Sequence, residues 1–138
     1  MEERINQFNK ALEILNVTNE DNHFGLVYVN GVTLDQVEKV RENCPLYTED
    51  WDTSWNDAPT ANELITFVKA NPEFTFEGYV TEPEERNGET RFNLTGISAP
   101  ETSSNVANLY AWINDENNEF IEPTELDNRT GDIRAWWD

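Results

Sequence analysis

The stretch EFTFEGYVTEPEERNGETRFNLTGIS, Glu73 to Ser98, decides the fold. In its first part Phe74, Phe76 and Val80 alternate with Glu73, Thr75, Glu77 and Tyr79. That period of two marks a strand with one buried face. The alternation resumes through Phe92 and Leu94. Between the two runs, EERNGE carries Asn87-Gly88, a pair that accepts the left-handed backbone of a tight turn. The reading is an antiparallel hairpin over 73–98, turning at Asn87-Gly88, with Phe74, Phe76, Phe92 and Leu94 facing the core.

Upstream the period changes. Ile5, Phe8, Leu12 and Leu15 fall at intervals of three and four, which predicts a helix over 2–16. HFGLVYVNG reads as a strand through Phe24 to Val29, ended by a turn at Asn30-Gly31. Thr33 with Gln36 and Thr60 with Glu63 are capping boxes, in which the threonine hydroxyl and the acid or amide three residues on satisfy each other's backbone N–H. They predict helices from Leu34 to about Asn43, with Leu34, Val37 and Val40 inward, and over 61–70, with Leu64, Phe67 and Val68 inward.

Downstream, NLYAWINDENNEFIEP reads as a second hairpin with a polar tip. Val106, Leu109, Tyr110 and Ile113 also fit one helical face, but Tyr, Trp and Ile are strand formers and tip the reading. GDIRAWW is expected to be a final strand or a docked tail; in a strand, one of Trp136 and Trp137 would face in and the other out. The class expected is α+β: about three helices, mostly in the N-terminal half, on an antiparallel sheet of hairpins mostly from the C-terminal half. The 138 residues suit one domain, with residues 1–23 either part of it or a helical arm.

Charge narrows function. Nine Lys and Arg stand against 28 Asp and Glu, a formal net charge of −19. Such a chain repels nucleic acid and anionic membranes, so direct binding to either is not expected. Only three residues are lysine, in a chain rich in asparagine, whose codons are similarly adenine-rich. That contrast suggests selection against positive charge. Aromatic residues at 12% distinguish the chain from a disordered acidic tail. No apolar run is long enough to span a membrane, and the N-terminus lacks the pattern of a secretory signal. A cytoplasmic location is the expectation, and one cysteine, Cys44, fits it.

YTEDWDTSWNDAP, Tyr47 to Pro59, places Trp51 and Trp55 among Glu49, Asp50, Asp52 and Asp57 with no base. Asp50, Asp52, Ser54 and Asn56 alternate like calcium ligands, but Trp55 and Ala61 stand where that loop needs Gly and Glu. No metal or other cofactor is expected. Cys44 lies between Glu42 and Glu49, and neighbouring negative charge weakens a thiol as a nucleophile. No phosphate loop or serine-nucleophile elbow accompanies it or His23, so the expectation is a protein that is not an enzyme.

The expected function is an acidic binding protein that inhibits or sequesters a basic partner, itself nucleic-acid-binding or a nuclease. Its carboxylates would mimic a phosphate array. Phage anti-defence proteins and nuclease immunity proteins share this profile in composition alone, and no motif ties the chain to a family. The partner-binding residues expected are Glu49, Asp50, Trp51, Asp52, Trp55, Asp57, Glu82, Glu84, Glu85, Asp115, Glu116 and Glu119. The tryptophans have a plainer role open to them, as core residues whose indole N–H meets a loop carbonyl. A β-rich carbohydrate or small-ligand module is the alternative function, and a halophile's acidic structural domain another. Acids gathered on one surface favour the first reading, even coverage favours salt adaptation, and an open cleft floored by tryptophan favours a sugar.

Overall fold

The structure is a computed structural model. It describes residues 1–120, 122–129 and 131–137, and of residues 127–129 the backbone alone. Among these residues, four helices pack on one face of a six-stranded antiparallel sheet of order β1-β2-β3-β4-β6-β5. The strands are β1 Asn22–His23, β2 Leu26–Val32, β3 Thr75–Thr81, β4 Phe92–Pro100, β5 Glu125–Arg129 and β6 Asp132–Trp136. The helices are α1 Glu2–Leu15, α2 Leu34–Asn43, α3 Ala61–Ala70 and α4 Ser103–Ile113.

The hairpin that decided the class is present as β3 and β4, with Val80 opposite Phe92 and Phe76 opposite Ile97. Phe74, Phe76, Phe92 and Leu94 are all buried. The connection is longer than a two-residue turn. It runs from Glu82 to Arg91, with Asn87 (φ 54°) and Gly88 (φ 83°) supplying consecutive left-handed residues. Both capping boxes form, with the hydroxyls of Thr33 and Thr60 accepting from the N–H of Gln36 and Glu63. Phe8, Ala11, Leu12 and Leu15 of α1 join the same core as Val37, Val40, Leu64 and Val68.

Three expectations are corrected. The second hairpin does not exist, because Ser103–Ile113 is helical. Thr102 caps it by accepting from the Asn105 N–H, and Leu109 is fully buried with Val106 and Ile113 beside it. The helical spacing of those residues prevails over strand propensity, which is strongly dependent on context. Ile121, in the same stretch, lies outside the described residues. The strand read through Phe24 is broken: Phe24 (φ 55°) and Gly25 (φ 83°) turn the chain between β1 and β2. Asn30-Gly31 is not a turn either. It is a bulge inside β2, where Val29 pairs with Gly78 and Val32 with Phe76.

A second bulge lies in β4. Glu77 pairs with Gly96 and Gly78 with Leu94, which leaves Thr95 as the extra residue. Both neighbours of β3 are therefore kinked at the level of Gly78. Gly78 itself has no room for a side chain, since a Cβ there would overlap the Asn93 carbonyl. The sheet face away from the helices carries Tyr28, Glu77, Tyr79, Asn93, Arg134 and Trp136, and none of them is fully buried.

Candidate functional site

Several loops converge where β3 runs into β4. Leu46 N–H donates to Gln7 Oε1 of α1 (2.9 Å), and the Tyr47 hydroxyl donates to the Thr81 carbonyl (2.9 Å). Trp51 Nε1 donates to the Phe92 carbonyl (2.9 Å). Glu82 N–H donates to the Gly25 carbonyl (2.8 Å), and Gly88 lies against the Arg4 side chain. The start of α1, the β1–β2 turn, the 47–59 loop and the 82–91 connection thus share one end of the molecule. Glu2, Glu3, Glu49, Asp50, Asp52, Asp57, Glu84 and Glu85 are exposed there. Phe24 is 82% exposed and Trp55 is 40% exposed at the same end.

Two residues expected at the surface are elsewhere. Trp51 is 5% exposed, its indole satisfied by the Phe92 carbonyl and tilted against the Phe92 ring. It is a core residue, as the plainer reading had it. Glu82 is buried and its carboxylate accepts from the Glu85 N–H (2.7 Å), so it shapes the connection instead of facing a partner. The tie from Asn62 to Asp52 and the bond from the Ser54 hydroxyl to the Ala58 carbonyl fix the loop around Trp55. Asp115, Glu116 and Glu119 are exposed, but their turn is tied to α4, through Asn118 to the Trp112 carbonyl and the Phe120 ring on Trp112. The structure brings together the first two acidic segments and shows no tie from the third to them among the described residues.

The cations are largely engaged within the chain. Lys10, Lys39, Arg41, Lys69, Arg86, Arg91 and Arg134 each lie within 4.0 Å of a carboxylate oxygen. Arg41 also stands over Trp51, Arg91 over Trp55 and Arg134 over Trp136. Exposed pairs of this kind stabilise little. Their consequence here is that the surplus surface charge is carboxylate.

Cys44 is sealed in the core with its Sγ donating to the Gln7 carbonyl, and burial pushes its thiol up to about 11. The Lys10 ammonium works weakly the other way. A thiol so held is a poor nucleophile at neutral pH. His23 is exposed at the sheet edge, its ring edge-on to Phe24 at 4.7 Å. Among the described residues no three His, Cys, Asp or Glu side chains gather to hold a metal ion, and no helix is long and apolar enough to cross a membrane.

The open sheet face holds a second feature that sequence reasoning missed. A groove of about 470 Å³ runs over the two bulges, walled on one side by Trp55 and Pro59. Tyr28, Tyr79 and Trp136 line it, with Arg91, Arg134 and Glu77. Arg134 is gripped by Glu77 (2.7 Å) and Glu125 (2.6 Å). Burial opposes its charge, but those two carboxylates outweigh burial and raise its pKa further. Comparison with known proteins finds no family profile, no characterised protein and no solved structure that matches this chain.

Proposed function

We propose that this chain is an acidic binding protein that engages a basic protein, nucleic-acid-binding or a nuclease in kind, and restrains it. The observation that carries the reading is the acidic end: eight exposed acidic residues around two exposed aromatic side chains, Phe24 and Trp55. Carboxylates there steer a positive partner, and the aromatics supply the buried anchors that charge alone lacks. Phe24 is notable because a bulky residue with φ of 55° is strained, so the turn presents an apolar ring to solvent at a cost.

A second reading rests on a different observation. Exposed carboxylates also stand on α1, α2 and the turn after α4, at Glu13, Asp35, Glu42 and Asp115 among others. Such spread is what solvent adaptation in high salt would produce.

One experiment separates them. Wild type, an Asp50→Lys, Asp52→Lys, Asp57→Lys triple variant and Phe24→Ala are immobilised and exposed to lysate of the source cell at low and high salt. A basic protein retained by wild type at low salt and lost from the triple variant and from Phe24→Ala supports the first reading. Equal retention by all three overturns it. A melting temperature that climbs steeply with potassium chloride, with nothing retained, supports the second.

A further inference from the structure

We infer that the groove on the open sheet face is a distinct binding site and that its ligand is a neutral carbohydrate, a short oligosaccharide. The groove differs in kind from the rest of the surface. In a chain of net charge −19, its lining among the described residues has one carboxylate, Glu77, and two guanidinium groups, Arg91 and Arg134. Its volume of about 470 Å³ lies within the range of small-ligand sites.

The lining offers the two things a sugar ring requires. Aromatic faces accept its C–H surface, and Tyr28 is the most open of them at 59% exposure, touching Tyr79 edge-on at 6.0 Å. Trp55 forms the wall above. Planar polar groups take its hydroxyls: the Asn93 amide, the Glu77 carboxylate and the Arg134 guanidinium. The last two are fixed by each other, so their ordering cost is already met by the fold. Gly96 lies beneath them, and a Cβ there would meet Glu77 Oε1 at 2.5 Å, so glycine is what lets the pair lie flat on the sheet.

Other ligand classes fit less well. An anion is repelled by the field of the whole protein. A wholly apolar ligand would bury Arg134 and Glu77 without partners for their remaining polar atoms. A basic peptide would set its cations against Arg91 and Arg134, which already line the groove.

The test is titration of the intact protein with neutral cello-, xylo-, malto- and chito-oligosaccharides, read by intrinsic fluorescence and calorimetry. An arginine-rich peptide and an acidic oligosaccharide are run beside them. Saturable binding of at least one neutral series is expected. Tyr28→Ala, at an exposed position, and Trp55→Ala should each weaken it by about tenfold or more. An Asp50→Lys, Asp52→Lys variant should leave it unchanged, and near-ultraviolet circular dichroism should show both aromatic variants folded. The inference fails if no neutral series binds at millimolar concentration, if binding survives both aromatic substitutions, or if Tyr28→Ala instead abolishes binding of the peptide or the acidic sugar.

Discussion

The guanidinium of Arg91 lies 4.8 Å from the centroid of the Trp55 ring. The last residue of the acidic 82–91 connection is thereby fastened to the exposed tryptophan of the acidic 47–59 loop. The same guanidinium approaches Tyr79 at 5.6 Å and Glu89 at 3.2 Å. One side chain thus joins the acidic end to the groove.

Removing that link should loosen Trp55 more than the fold. A cation–π contact at a partly exposed site is worth about 1 kcal/mol. Arg91→Ala should therefore cost little in urea denaturation. The Trp55 emission, obtained by subtracting the spectrum of a Trp55→Phe variant, should move to the red. An unchanged emission would mean that the loop holds Trp55 without help.

The two tryptophans of the 47–59 loop should behave oppositely. Trp51 fills the core and satisfies its indole on the Phe92 carbonyl, so Trp51→Ala should cost about 3–5 kcal/mol. Trp55→Ala should cost about 1 kcal/mol or less in stability. Paired urea titrations read the difference directly, and comparable losses at both positions would contradict the assignment.

Gly78 should tolerate no side chain. A Cβ would overlap the Asn93 carbonyl of the neighbouring strand, which is backbone and cannot rotate away. Gly78→Ala should cost about 2 kcal/mol or more, whereas Gly31→Ala meets open space and carries mainly the strain of its φ of 60°. Thermal melts of the two variants make the comparison.

Alkali should destabilise the protein from about pH 9. An unfolded thiol titrates near 9.0, while burial holds Cys44 at about 11. The unfolded chain therefore ionises first, and stability is complete below pH 9 and falls as pH rises towards 11. At its limit the gap is worth on the order of 2–3 kcal/mol. Tyr47 adds to the loss above its ordinary 10.0, because burial first, then the charges of Glu82 and Cys44, push its phenol upward against a hydrogen bond to Thr81. Urea midpoints between pH 7 and pH 10.5 should show the decline, and native Cys44 should resist thiol reagents at pH 8.

Much of the fold was legible because it is written locally. The capping boxes at Thr33 and Thr60 mark α2 and α3 within a few residues, and the alternation about Phe76 and Phe92 gives the central hairpin. What escaped depends on distant parts of the chain. Trp112 of α4 packs against Phe67 and Trp137, and Leu109 is fully buried; strand propensity at Tyr110 and Trp112 says nothing of that. The sorting of Trp51 inward and Trp55 outward follows from one carbonyl of β4, 41 positions away from Trp51. The groove draws Tyr28, Tyr79, Trp55 and Trp136 from four separate segments, so no window of sequence contains it. The exposure of Phe24 was hidden by reading the chain straight through a turn.

The paired bulges have a consequence for how the sequence can change. Asn30-Gly31 and Thr95 each insert a residue beside β3, and Gly78 sits between them, paired with Val29 on one side and Leu94 on the other. A one-residue deletion or insertion within β3 would shift its register against both neighbours together, so neither bulge could absorb the change while the other stayed in place. The 82–91 connection has no such double constraint. Changes in length should accumulate there through evolution while β3 stays invariant in length. The acidic end can therefore be remodelled in a lineage without disturbing the sheet that carries it.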